Sequence, residues 1–370
     1  MEGRTTGPLG GFGDPALATV AGKIAAGERL GRADGLALFQ SPDLLGVGWL
    51  ANRVRERLHG NKTFYNINRH INYSNICVAS CPICSFGRRP GEKDGQWEYS
   101  LDEIFAKAEA DLPADATEIH IVGGLHPNLP FEYYTGMLRG LRARFPRLHL
   151  KAFTAVEIAH FSRLFGMSVE EILKRLIEAG LDSLPGGGGE ILNEAVRKKI
   201  AGNKIDGATW LGVHRAAHRL GVPTNCTMLY GHVESAADRV DHLLALRGLQ
   251  DETGGFQAFV ALAFHPANNR MSNLPAPTGA TDLRTIAAAR LLLDNIPHIK
   301  AYWVMLGLKT AQLAQHFGAN DLDGTVVEET ITHMAGGATP QAMGVAELER
   351  LIRDAGRIPA QRDSRYREVL

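Results

Sequence analysis

The hydrophobic pattern of this chain changes its period near residue 69. Before that point apolar residues recur at helical spacing: Leu17, Val20 and Ile24, then Leu36, Leu38 and Phe39, then Trp49, Val54 and Leu58. Ser41 or Asp43 is placed to cap the third segment. Past Arg69, short apolar runs alternate with amphipathic stretches. The strand-like runs fall at 70–73, 118–122, 148–153, 183–184, 224–229, 257–262, 300–305 and 320–322. Between them the spacing predicts helices, among them 101–110, 131–144, 169–179, 210–220, 236–249 and 283–293. Strands alternating with helices imply a parallel sheet, and eight of them favour an α/β fold closed as a (βα)8 TIM-type barrel. The runs at 183–184 and 320–322 are short, so a partly open, six-stranded barrel is the alternative. The predicted division is an N-terminal helical extension (1–62), a barrel (63–335) and a C-terminal helix and tail (336–370), with the glycine-rich stretch 1–15 frayed.

Parallel barrels carry their active sites at the C-terminal ends of the strands. Polar and glycine-rich clusters of this chain fall at those ends. The first is Cys77-Val78-Ala79-Ser80-Cys81-Pro82-Ile83-Cys84, three thiols within eight residues. Three thiolates on one loop call for a metal centre. Structural zinc closes with four ligands, so zinc would need Cys226 or a distant histidine. A four-iron cluster held by three thiolates would instead keep one iron open. The spacing C-x3-C-x2-C, with Ile83 before the third cysteine, resembles the signature of the radical S-adenosylmethionine superfamily. The resemblance implies a 4Fe–4S cluster on Cys77, Cys81 and Cys84, with S-adenosylmethionine at the open iron.

The same resemblance gives expectations for further strand ends. Gly123 and Gly124 match the glycine pair that holds the methionyl ammonium and carboxylate; read alone, two glycines after a strand mark a turn. Glu190, after the run Gly186 to Gly189, matches the position that binds the ribose diol; the bland reading is an acid at a helix N-terminus. No Lys-Ser/Thr follows these glycines, which excludes a P-loop. Glu157 is a second candidate for the diol, or for a base. Gly231 belongs to Thr227 to Glu234, similar to an element that packs beside adenine, with Thr227 in place of its first glycine. His126 is a proton donor, a substrate contact or a cap of its turn. Cys226 reads as a small buried hydrophobe. His214 with His218, and the run Arg197, Lys198, Lys199 and Lys204, read as solvated helix faces. Tyr302 and Trp303 read as opposite faces of the seventh strand.

Longer stretches resemble one branch of the superfamily, the aminofutalosine synthases of menaquinone biosynthesis. They include His120 to Pro127, Lys151 to Glu157, Asp251 to Gln257, Ala301 to Leu306 and Asp321 to Val326. This resemblance implies addition of a 5′-deoxyadenosyl radical to 3-(1-carboxyvinyloxy)benzoate, giving 6-amino-6-deoxyfutalosine with loss of CO2 or bicarbonate. S-adenosylmethionine is then consumed, and an electron donor such as flavodoxin or ferredoxin is required. A buried carboxylate is costly unless paired, which nominates Arg88, His126, Lys151, His265 and Arg270 as substrate contacts, with the loop after His265 as a lid. The rivals are the sibling cyclase of the same pathway, which abstracts hydrogen, and a non-catalytic iron–sulfur or zinc protein.

Forty basic against forty acidic residues leave no global field for nucleic acid or a membrane surface. No apolar run approaches the roughly 18 residues of a membrane helix, and the first residues lack the pattern of a signal peptide. Four cysteines, three of them clustered, form no disulfide framework. Unpaired thiols point to a reducing, cytoplasmic setting.

Overall fold

The structure is a computed structural model and describes residues 11–110 and 112–369. The expected frayed stretch lies outside the described residues as far as residue 10. Helix α1 (Pro15–Ala26) starts on Asp14, whose carboxylate accepts from Ala16 N at 2.9 Å. Pro15 sits in the first turn, where its missing N–H is not needed. Helices α2 (Arg32–Gln40) and α3 (Leu44–His59) follow. Asp43 is the cap of α3, accepting from Gly46 N at 2.7 Å. Buried Arg55 pins α3 to the barrel by donating to Ala319 O at 3.3 Å, Gly60 O at 2.6 Å, Thr63 Oγ1 at 2.8 Å and Lys62 O.

The strands are β1 (Lys62–Asn66), β2 (Asn68–Ile71), β3 (Glu118–Ile121), β4 (His149–Ala152), β5 (Thr224–Tyr230), β6 (Phe256–Ala263), β7 (His298–Lys300), β8 (Asp321–Gly324) and β9 (Ile358–Gln361). All their ladders are parallel. One sheet has the order β2-β3-β4 and the other β5-β6-β7-β8-β1-β9. Single parallel bridges span both seams. Lys151↔Ser183 and Leu184↔Thr224 place residues 183–184 between β4 and β5, and Arg69↔Val327 joins β2 to the segment after β8. Neighbour relations thus run round the ring through eight strand positions, the fourth reduced to two residues.

Two elements depart from the hydrophobic pattern. The seventh strand stops at Lys300, and Trp303–Leu306 winds into a short helix. Trp303 is buried and donates from Nε1 to Gly324 O at 2.9 Å, so Tyr302 and Trp303 are not opposite faces of one strand. The tail also supplies a strand. β9 pairs with β1 over four residues despite Pro359, which an edge strand tolerates. Helices Ala155–Phe165 and Glu194–Ala201 occupy connections that the pattern left unassigned. Among the described residues no helix is long and apolar enough to cross a membrane.

The tail is fastened by charge. Arg362, just past β9, donates from Nε to Asp321 Oδ2 at 2.6 Å, and the two side chains are 1% and 0% exposed. Burial works against the guanidinium charge, yet Asp321 holds its pKa above the ordinary value. Removing one partner of such a pair strands the other in a low dielectric. Arg362→Met is therefore expected to lower the unfolding free energy by about 3–5 kcal/mol, read by chemical denaturation; a loss within experimental error would show that the pair contributes nothing net.

Candidate active site

A cavity of about 690 Å³ opens at the C-terminal strand ends. Its wall includes Cys77, Cys81, Ile83 and Cys84, the glycine pair, and Glu190, His265 and Arg270. The cysteine loop follows β2 and has no helix or strand of its own. It is held by backbone bonds: Cys77 N to Arg88 O at 2.8 Å, Arg88 N to Asn75 O at 2.8 Å, and Val78 N to Leu125 O at 3.1 Å. Gly87 N donates to Cys84 Sγ at 3.3 Å. A Cβ at Gly87 would stand 3.7 Å from Cys84 Sγ and 3.8 Å from Cys77 Sγ, so these sulfurs flank one bare backbone. Among the described residues no three His, Cys, Asp or Glu side chains gather tightly enough for a single metal ion. Three thiols on one wall of a large cavity suit a polynuclear centre better than a closed zinc site. Burial pushes the Cys81 thiol up to about 11, against the pull of Lys204, so metal loading there must release a proton.

The glycine pair follows β3. A Cβ on Gly123 would meet the Tyr73 ring at 2.4 Å, and one on Gly124 would meet Ile76 O at 2.2 Å. The need for glycine therefore comes first from the protein's own packing. Gly186 is constrained in the same way by Asn225 O at 2.8 Å. Arg197 donates to Gly188 O, Gly189 O and Ile205 O at 2.7–2.9 Å. This glycine turn presents carbonyls to an arginine and is no phosphate cradle.

Arg197 and Lys204 correct the expectation of a solvated basic face. Arg197 is buried. Lys204 Nζ lies 2.5 Å from Glu190 Oε1 in the cavity wall, near Cys81 and Cys84. Burial opposes the Glu190 charge, but Lys204 holds this carboxyl below the ordinary range, and it stands ionised, with no hydrogen bond to Oε2 among the described residues. His214 and His218 are likewise turned inward. His214 Nδ1 and His218 Nε2 meet Thr224 Oγ1 at 2.9 and 2.8 Å. Cys226 is buried on β5, as its chemistry suggested.

Four nominated residues do not line the cavity. Arg88 is folded back onto Ser85 O at 2.8 Å, which corrects its placement at the barrel mouth. His126 caps its turn: Nδ1 accepts from Asn128 N and Leu129 N at 3.1 and 3.0 Å, and Nε2 meets Glu98 at 2.6 Å. Gly231 lies in a loop closed by buried Glu234, which accepts from Gly231 N and His232 N at 2.6 and 2.9 Å. Glu157 is the third residue of a capping box on helix Ala155–Phe165. Its two oxygens accept from Thr154 N at 2.7 Å, Thr154 Oγ1 at 2.8 Å, Tyr73 Oη at 2.8 Å and Gly123 N at 3.1 Å.

Two nominees at the mouth are committed to the protein. His265 Nε2 lies 2.9 Å from Met305 O, and Arg270 donates to Ser80 O. Lys151 lines the cavity but pairs with Glu118 Oε2 at 2.5 Å. Sequence reasoning missed the rest of this polar floor: His70, Glu118, His120, Lys300 and Asp323. The available signal was a charged or imidazole side chain inside a strand.

Burial pushes the Glu157 carboxyl up to about 7, with four donors pulling it back. A raised value means that the folded state binds the proton more tightly. Its stabilising share is complete below about pH 4.5 and is lost as pH rises through about 7. The stability difference between wild type and Glu157→Gln is expected to fall by about 2 kcal/mol between about pH 5 and 8, measured by urea unfolding. A flat difference would mean that the carboxylate stays ionised throughout.

Comparison with known proteins agrees with this geometry. Residues 71–246 match the Radical SAM superfamily, and residues 253–369 match the CofH/MqnC C-terminal region. The chain is 48% identical over 363 residues to the aminodeoxyfutalosine synthase of Thermus thermophilus, covering 97% of each. It is 39% identical over 324 residues to the 5-amino-6-(D-ribitylamino)uracil–L-tyrosine 4-hydroxyphenyl transferase of Methanopyrus kandleri, covering 86% of this chain and 88% of that one. Among solved structures, methylornithine synthase superposes with a TM-score of 0.73 at 16% identity, over 92% of this chain and 97% of that one, a likeness of fold alone. The chain belongs to the radical S-adenosylmethionine superfamily, in the family of the aminodeoxyfutalosine synthases.

Proposed function

We propose that this protein transfers the 5′-deoxyadenosyl group of S-adenosylmethionine to 3-(1-carboxyvinyloxy)benzoate, forming 6-amino-6-deoxyfutalosine for menaquinone biosynthesis. The observation that carries the reading is the 48% identity to an aminodeoxyfutalosine synthase over 97% of both chains, against 39% over 86% of this chain for the hydroxyphenyl transferase.

In this reading Cys77, Cys81 and Cys84 would hold a 4Fe–4S cluster, with S-adenosylmethionine taking the place where the chain offers no fourth thiolate. When bound and reduced, the cluster supplies the one electron that parts methionine from the adenosyl group. The adenosyl group is retained in the product, and the acrylate-derived carboxylate leaves as CO2 or bicarbonate with return of the one electron taken up, so the reaction is redox-neutral overall. Gly123 and Gly124 bring bare backbone to the cavity wall beside the cysteine loop, where the methionyl ammonium and carboxylate can be held. Glu190 offers Oε2 to the ribose diol while Lys204 keeps it ionised. Ile83 gives the cysteine wall an apolar side. Glu157, His126 and Gly231 act as positioning residues for these loops, through the bonds described above. The electron must come from another protein, of the flavodoxin or ferredoxin kind.

The protein, purified and reconstituted without oxygen, is mixed with reductant, S-adenosylmethionine and the enol ether. Mass spectrometry is expected to show the adenosine-containing product, and Cys81→Ala to abolish it. Stoichiometric 5′-deoxyadenosine with no adduct would favour the hydrogen-abstracting sibling instead. Full turnover by Cys81→Ala would remove the cluster from the chemistry.

A further inference from the structure

The floor of the cavity carries chemistry that the adenosyl end of the reaction does not use. His70 in β2, His120 in β3 and Lys151 in β4 are register partners on adjacent strands. They line the cavity together with Lys300, the last residue of β7. All four lie on the strands themselves, below the loop that carries the cysteines. The side chains of Lys151 and Lys300 are 4% and 3% exposed. Each ammonium has three donors, and each has one hydrogen-bond partner among the described residues: Glu118 Oε2 at 2.5 Å and Asp323 Oδ1 at 3.1 Å. Buried donors left unmade are costly, so two cations wait at this floor for an acceptor.

The neighbouring surface is of a different kind. His70 and His120 stack with centroids 4.5 Å apart and planes 18° from parallel. Burial lowers the pKa of both imidazoles, so the stack is neutral. His70 Nε2 is buried with no hydrogen-bond partner among the described atoms. A flat neutral aromatic face with the Lys151 ammonium on the neighbouring strand, in a cavity that Lys300 also lines, complements an aromatic carboxylate.

We propose that this floor binds the aryl carboxylate of the acceptor, with Lys151 and Lys300 donating to it and the ring lying against the His70–His120 stack. The inference rests on the functional reading above and gives the acceptor a direction. Its enol ether must meet the adenosyl carbon beside the cysteine loop. Its aryl carboxylate is at the other end of the molecule, and the lysines are borne by strands and not by the loop that carries the cysteines. Glu118 and Asp323 keep the empty floor neutral without exhausting the lysine donors.

The test uses the anaerobically reconstituted full-length protein and two probes, 3-methoxybenzoate and 3-methoxybenzamide, which share ring and ether and differ in charge. Calorimetry is expected to show the wild type binding the acid about tenfold or more tightly than the amide, the worth of a charge-assisted bond. Lys300→Met leaves Asp323 with Arg362 at 3.9 Å as a partner and is expected to erase that preference. The reduced cluster of this variant should still change its paramagnetic resonance spectrum when S-adenosylmethionine is added, which reports a folded and loaded site. Equal affinity of the wild type for acid and amide overturns the proposal, as does an undiminished preference in a Lys300→Met protein that keeps the spectral response. Neither probe reacts, so the outcome is separate from turnover. A wild type that prefers the acid yet forms no adduct would overturn the functional reading and leave the subsite standing.

Discussion

Everything at the mouth of this barrel depends on how closely two stretches of backbone approach. The cysteine loop has no regular structure, so its shape is borrowed from the turn after β3. Gly124 N donates to Ser74 O at 2.8 Å, and Val78 N to Leu125 O at 3.1 Å. A Cβ at Gly124 would lie 2.2 Å from a carbonyl oxygen, which cannot swing aside as a side chain can. The support continues outward. Tyr73, whose ring occupies the place of a Gly123 side chain, donates to Glu157, and Glu157 caps helix Ala155–Phe165. The three cysteines are thus positioned by a helix more than seventy residues away in sequence.

A second constraint shapes the interior. A cavity built to receive an anion needs cations, but unpaired cations in a low dielectric destabilise the empty protein. The floor answers with pairs: Lys151 with Glu118, Lys300 with Asp323, and Arg362 with Asp321 beneath them. Asp323 is also 3.9 Å from Arg362, so the pairs are linked. Lys204 and Glu190 repeat the device beside the cysteines. Each charge has an opposite partner, and donor or acceptor capacity is left over for ligands.

The parts of this molecule legible from sequence were those that a local pattern determines. The alternation of strands and helices, the two-residue fourth strand and the cysteine spacing all follow from short-range periodicity or chemistry. What was not legible depends on long-range pairing. β9 contains a proline and reads as tail until β1 is beside it. Lys204 and Arg197 look like surface charge beside Lys198 and Lys199; only the fold shows that one faces Glu190 and the other the glycine turn. Sequence order also could not say which way Arg88 or His126 points, because both are turned by backbone groups in their own loops. The strand-borne lysines and histidines were hidden by the usual rule that strand interiors are apolar.

The cations of the cavity consequently divide by what they hold. At the mouth, Arg270 donates to Ser80 O, its own backbone N donates to Pro82 O at 3.0 Å, and Ser85 Oγ donates to Ala267 O at 3.3 Å. Arg89 adds a bond from Nε to Ser80 Oγ at 2.7 Å. The segment after β6 and the cysteine loop therefore form one cover, and these arginines are used in closing it. Radical chemistry gains from such a cover because water is kept from the reacting groups. At the floor the lysines sit on rigid strands, are held by single carboxylates and keep donors to spare. Arginine's fork suits the first task, spanning loop carbonyls, and lysine's compact ammonium suits the second, meeting a carboxylate within a narrow barrel. The same charge type thus serves shape at one end of the cavity and recognition at the other.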